Sequence, residues 1–219
     1  MLVAKNLSKM YAQGNHNVNA VRDAHLAVEH GQFCAIIGKS GCGKSTLLRM
    51  LGAMEAPDEG SVLYKGKSLY SLKDKEQAAI RGREFGFVFQ SFNLISELNV
   101  FDNISLPRIL TMQETNENDV VQVAASVGIA DKLKSYPNQL SGGEQQRVAI
   151  ARALICTPKV IFADEPTGNL DEQNRDIVIN LLMESCKSRG LAVVLVTHDI
   201  SIAHRSDTVF HMIDGRIEP

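Results

Sequence analysis

The sequence has no CxxC pair, no block of like charge, no internal repeat and no apolar run approaching the ~18 residues of a membrane span. Its four cysteines, Cys34, Cys42, Cys156 and Cys186, are scattered and have no histidines at ligand spacing. That argues against a disulfide frame or a zinc site and for the reduced thiols of a cytosolic protein. Lys and Arg (23) nearly balance Asp and Glu (25), and a net charge of −2 gives no reason to expect nucleic acid as a partner. The opening "MLVAKNLSKMY" is too broken by polar residues to be a signal peptide. Without sustained heptads or a low-complexity linker, long coiled coils and tandem modules are not expected either.

What is present suits one domain with a possible subdomain: 219 residues, 44% hydrophobic, can bury a substantial core. Short apolar runs alternate with helical patterns, which predicts an α/β fold with a largely parallel sheet. Four runs read as buried strands: "QFCAII" ending at Gly38, "FGFVF" at Gln90, "KVIFA" at Asp164 and "LAVVLVT" at His198. Ligands bind beyond the carboxyl ends of such strands, and each of these ends carries a polar group or a glycine loop. Residues 1–30 and "EGSVLYKGKSL" suggest shorter, alternating strands in an antiparallel flap. From Ser91 to Pro158 the pattern is mainly helical, most clearly in "ENDVVQVAASVGI".

"GKSGCGKST" carries the strongest chemical signal. Gly38 to Ser45 fits G-x-x-x-x-G-K-[ST] between a predicted strand and the predicted helix "STLLRMLGAM". Glycines let successive backbone N–H groups turn onto phosphate oxygens, and the helix dipole adds partial positive charge. Lys44 is then expected to reach the β- and γ-phosphates and Ser45 to ligate Mg²⁺. Cys42, inside the loop, is expected to pack rather than react. Asp164 and Glu165 end a hydrophobic strand. Beside a phosphate loop, Asp164 is expected to hold Mg²⁺ and Glu165 to orient and polarise an attacking water.

"LSGGEQQRVAIARAL" poses a separate problem. Ser141 and Glu144 form a capping box, with Val148, Ala151, Leu154 and Ile155 on one apolar helix face. A cap alone does not need Gly142 and Gly143, which let a backbone or a ligand come close. Since one loop already cradles the phosphates, a C2 homodimer solves the geometry, each copy offering this helix start to the nucleotide of the other.

With these motifs the chain resembles the ATP-binding subunits of ABC transporters over essentially its whole length. "GKSGCGKS" is similar to the family's Walker A, "VIFADE" to Walker B with the catalytic glutamate, and "LSGGEQ" to its signature. Gln90 matches the Q-loop, Asp171 in "GNLD" the D-loop and His198 in "VTHD" the switch histidine. The resemblance implies a P-loop NTPase (RecA-like) core with a mostly parallel sheet, an N-terminal antiparallel β subdomain and a helical subdomain. On that reading a single ATP-binding domain covers 1–219, with 1–90 and 159–219 forming the β subdomain and core and 91–158 the helical subdomain.

The resemblance also implies ATP and Mg²⁺ as ligands. Glu165, His198 and Lys44 would be catalytic. The nucleotide would be held by Gly38, Lys39, Ser40, Gly41, Cys42, Gly43, Lys44, Ser45 and Thr46, with Tyr11 stacking on adenine. Gln90, Asp171 and His198 would join them, with Ser141, Gly142 and Gly143 reaching over from a second copy. Ser45, Gln90 and Asp164 would serve the metal.

"GFVFQSFNLISELNVFDNISLP" and "ADEPTGNLD" look most like the MacB/LolD-type branch, the lipoprotein-release, antimicrobial-peptide and haem-export ATPases. That implies an exporter or extractor of peptide, lipoprotein, haem or drug, bound at the cytoplasmic face of the membrane. With no regulatory extension after "DGRI" and no fused permease, the partner is expected to be a separate integral-membrane permease. The alternative is a cell-division-type ATPase that regulates a wall hydrolase and transports nothing. Phe92, Leu94, Ile95 and Leu98 either line a groove for a permease helix or pack the helical subdomain; in the first case Leu94→Asp uncouples transport and spares ATPase.

Overall fold

The computed structural model describes residues 1–13 and 16–218. Strands β1 (Leu2–Gln13) and β2 (His16–Val28) lead into β3 (Phe33–Ile37), followed by helix α1 (Lys44–Leu51), β4 (Glu59–Tyr64) and β5 (Lys67–Ser68). Helix α2 (Asp74–Arg83) and β6 (Phe85–Phe89) precede a helical stretch of α3 (Val100–Leu110), α4 (Glu117–Ser126) and α5 (Gly142–Leu154). The chain then returns to the sheet through β7 (Val160–Asp164), α6 (Glu172–Arg189) and β8 (Ala192–Thr197). It closes with α7 (Ile200–Ala203), β9 (Thr208–Ile213) and β10 (Arg216–Glu218).

Two sheets result. One has the order β2-β1-β4-β5 and is antiparallel throughout. The other has the order β10-β9-β3-β8-β7-β6, parallel from β9 to β6, with β10 added antiparallel at one edge. The four apolar runs are the parallel strands β3, β6, β7 and β8, as their near-continuous hydrophobicity predicts for strands covered on both faces. Alternate residues serve separate cores. Ile161, Ala163, Val193 and Leu195 pack toward α3–α6, while Phe162, Val194 and Val196 face α1 and the antiparallel sheet.

Helix α1 lies in that second core, with Leu47, Leu48, Met50 and Leu51 all buried. The phosphate-loop helix is therefore clamped by apolar packing, and its N-terminus has a fixed direction. β6 is an edge strand whose Phe87 and Phe89 are only partly buried, where the sequence suggested a fully buried one.

The N-terminal expectation needs a larger correction. β1 and β2 are not short: they span 12 and 13 residues and pair with shifts of register near Asn6 and Lys9. Asn6 and Asp23 adopt positive φ (52° and 46°). Such irregularities break the period of two, so one long bent ribbon reads as several short strands.

Candidate functional site

The loop after β3 reaches α1 through Gly43, the N-cap, at φ 104°. A Cβ at Gly43 would also collide with the Ala20 carbonyl of β2. No side chain caps α1, and its first turn carries no acid. Its N-terminal donors and positive dipole end are thus left for an external anion. A cavity of about 690 Å³ opens there, lined by Ser40, Gly41, Gly43, Lys44, Ser45 and Thr46 and, from elsewhere in the chain, by Tyr11, Gln90, Glu165 and His198. Lys44 is only 6% exposed, and its Nζ donates to the carbonyls of Gly38 (2.8 Å) and Lys39 (2.9 Å).

Two contacts bring the strand ends onto this loop. The Ser45 hydroxyl donates to Asp164 Oδ1 at 2.8 Å, joining the first turn of α1 to the end of β7. Across the cavity, Glu165 Oε2 lies 2.9 Å from His198 Nδ1, joining the ends of β7 and β8. Glu165 sits at φ 46°, a left-handed conformation that costs a non-glycine residue on the order of 1 kcal/mol or more. The turn is held by Glu165 N–H donating to the Val196 carbonyl (3.0 Å) and by Gly168 N–H donating to the Glu165 carbonyl (3.1 Å). This backbone aims the carboxylate at the cavity mouth instead of along the strand.

Gln90 is exposed at the end of β6 and exchanges hydrogen bonds with Asn169. Its Nε2 donates to Asn169 Oδ1 (3.3 Å), and Asn169 Nδ2 donates to the Gln90 carbonyl (3.1 Å). Sequence reasoning passed over Asn169; its place in "GNLD" between two singled-out residues was the available signal.

The remaining predicted residues lie elsewhere. Gly38, Lys39 and Cys42 border a second cavity of about 540 Å³ behind the loop, with His198 at the rim it shares with the first. Cys42 packs against the core under the antiparallel sheet. Ser141, Gly142, Gly143 and Asp171 do not line the phosphate-loop cavity.

The start of α5 is also unlike that of α1. Ser141 Oγ accepts from Glu144 N–H (3.3 Å), and Glu144 Oε2 accepts from Ser141 N–H (2.8 Å). The Ser141 N–H bond chiefly holds the Glu144 carboxyl below its ordinary range. Asp171 caps α6, and its carboxyl is held low mainly by the Asn174 backbone N–H and then by the Asn174 amide.

The residues after Gln90 divide. Leu94 packs on the large core beneath α3 and α5, so it belongs to the packing alternative, whereas Ile95 is 39% exposed. Phe92 and Asn93 have φ of 60° and 50°, and their carbonyls accept from the Arg152 guanidinium of α5 at 2.7 and 2.5 Å. Arg152 gave no sequence signal, because its role depends on a loop coming back onto the helix.

A family profile described as "ABC transporter" matches residues 21–168. The lipoprotein-releasing system ATP-binding protein LolD of Bordetella avium is 40% identical, the match covering 100% of this chain and 96% of LolD. The macrolide export ATP-binding/permease protein MacB of Chlorobaculum tepidum is 43% identical over 98% of this chain, which spans 33% of that protein. Among solved structures, a dimeric post-hydrolysis ATP-binding cassette bound to ADP and Pi superposes with a TM-score of 0.92 at 36% identity. That match covers 100% of this chain and 97% of the cassette.

Proposed function

The chain belongs to the ABC transporter ATP-binding family, and from that premise we propose that it hydrolyses ATP between two head-to-tail copies to drive a separate membrane permease. One observation carries the reading. The uncapped start of α1, Ser45 with Asp164 bonded to its hydroxyl, and the Glu165–His198 pair come together at one cavity, which all but Asp164 line.

The donor set fits a nucleotide with its metal. The free N–H groups of α1 and the buried Lys44 ammonium suit a polyphosphate, and a hydroxyl beside a carboxylate suits the hard, oxygen-seeking Mg²⁺. Ser45, Asp164 and Gln90 would hold Mg²⁺, which supplies neutralisation of charge developing on the terminal phosphate. Lys44 binds the phosphates. Glu165 orients a water and takes up its proton, and the single N–H of a neutral His198 ring serves either the Glu165 carboxylate or the terminal phosphate.

The other half of each site comes from a second copy. Ser141, Gly142 and Gly143 lie outside their own chain's phosphate cavity, and a Cβ on Gly142 would meet only ordinary van der Waals neighbours at 3.6–3.8 Å. Nothing within the subunit demands that glycine, so a ligand approaching from outside accounts for it. The dimeric relative with ADP and Pi supports this arrangement.

Among the described residues no helix is long and apolar enough to cross a membrane, so translocation falls to the permease. The relatives named for lipoprotein release and macrolide export support an outward or extracting direction, and with a permease as partner the chain would work at the cytoplasmic membrane face. A groove of about 260 Å³ between β6, α3 and α5, lined by Phe87, Phe89, Asn93 and Pro107, is the proposed permease contact. The test is Glu165→Gln. ATP binding should persist with a stable ATP-bound dimer, and turnover should fall by about 10²-fold or more. Turnover near wild type would remove Glu165 from the chemistry.

A further inference from the structure

Tyr11 reaches the phosphate cavity from β1, and its ring does not stand free. Its hydroxyl donates to Glu55 Oε1 at 2.5 Å, while Glu55 Oε2 pairs with Arg49 Nε of α1 at 3.3 Å. Lys9 Nζ lies 3.8 Å from Glu55 Oε1 and is itself anchored on Asp58 Oδ1 (2.9 Å) and the Ala56 carbonyl (2.8 Å). The backbone of Glu55 is held too, since the Tyr70 hydroxyl lies between the Glu55 and Met50 carbonyls (2.5 and 2.7 Å) and its one proton is shared by them. The Glu55 side chain is 24% exposed and the Lys9 side chain 15%, so this network is partly withdrawn from solvent and its charges are paired.

We infer that Glu55 is a positioning residue for recognition of the nucleotide base: its carboxylate sets the Tyr11 ring and ties it to the helix that grips the phosphates. The inference rests on the proposed role of Tyr11 as the base platform. A tyrosine on a strand otherwise keeps rotational freedom that base binding must remove. Bonding the hydroxyl to a carboxylate anchored on α1 removes that freedom beforehand and fixes the distance from ring to phosphate loop. Glu55 does not line the phosphate-loop cavity, so its influence should fall on ligands that carry a base and not on base-free ones.

Binding of ADP and of inorganic pyrophosphate, each with Mg²⁺, to the full chain tests this by calorimetry. Glu55→Ala and Tyr11→Phe should each weaken ADP by roughly 2- to 10-fold, the cost of ordering one free side chain. The double variant should be no worse than either single one, because both remove the same tie. Glu55→Gln, which keeps an acceptor for the Tyr11 hydroxyl, should recover most of the affinity, and pyrophosphate should bind all four variants as it binds wild type.

Weakening of ADP and pyrophosphate together would overturn the inference, because Glu55 would then act through the loop or the fold. So would wild-type ADP affinity in Tyr11→Phe, a variant that keeps the fold even if Glu55→Ala does not. Tyr11→Ala separates the premise: unchanged ADP affinity there removes the base platform itself, whereas a loss confined to Tyr11→Ala removes only the role of Glu55.

Discussion

Asn174 of α6 occupies the space that a side chain on Gly143 would need. Its amide Nδ2 donates to Asp171 Oδ2 and its backbone N–H to Asp171 Oδ1, both at 2.8 Å. The start of α5 and the start of α6 thus interlock inside one subunit. Gly143→Ala should displace Asn174, break its bond to Asp171 and destabilise the fold by about 1–3 kcal/mol, as overpacking does. Denaturant unfolding measures this, and adding Asn174→Ala should restore much of the loss. A Gly143→Ala protein as stable as wild type would show that Asn174 moves aside freely.

Gly142 should behave in the opposite way. Its nearest neighbours, Leu170, Phe92 and Asn169, leave room for a methyl group. Gly142→Ala is therefore expected to fold with stability within about 0.5 kcal/mol of wild type. ATP turnover should nevertheless collapse if the proposed head-to-tail site holds, because there the added methyl would meet the nucleotide of the other copy. Full turnover with full stability would sink the head-to-tail site.

These neighbouring glycines show how far the sequence could be read. The parallel strands were legible because burial on both faces makes a run such as "LAVVLVT" continuously apolar, with its polar end marking the site. α2 was not, since none of its residues is buried and no apolar stripe betrays it. β9 was obscured by His211 within "TVFHMI". The phosphate loop could be read because its chemistry is local in sequence. Asn169, Arg152 and Glu55 escaped because each works through a partner brought close only by folding: Gln90, the Phe92–Asn93 carbonyls and Tyr11. The reason for Gly143 was missed likewise, because Asn174 lies on another helix.

The Glu144 cap should give stability a dependence on acid. The Ser141 N–H bond holds the folded carboxyl below its ordinary value, so the unfolded chain takes up the proton first as pH falls. The contribution is complete above the ordinary glutamate value of about 4.3 and is lost as pH drops through the lower folded one. Glu144→Gln keeps an acceptor but no charge. It should be less stable than wild type at neutral pH, by at most the ~1 kcal/mol of a helix cap, and the gap should narrow as pH falls below the ordinary glutamate range. A gap that is constant with pH would mean that the charge on Glu144 adds nothing to the cap.

Leu94 and Ile95 are adjacent, yet the fold assigns them different work. Leu94 is partly buried against the core, so Leu94→Asp should set a carboxylate on that apolar surface and lower stability and ATPase together. Ile95 points outward while its backbone is pinned: its N–H donates to Asn103 Oδ1 (2.8 Å), and its carbonyl accepts from Asn103 Nδ2 (3.0 Å). Asn103 is fully buried, which makes the anchor rigid. An apolar side chain held outward on a rigid loop beside the β6–α3–α5 groove is suited to a membrane partner. Ile95→Asp should therefore keep its melting temperature and basal ATPase while losing sedimentation with host membranes. If it sediments as wild type does, the permease docks elsewhere; if it unfolds as Leu94→Asp does, the segment is core and not interface.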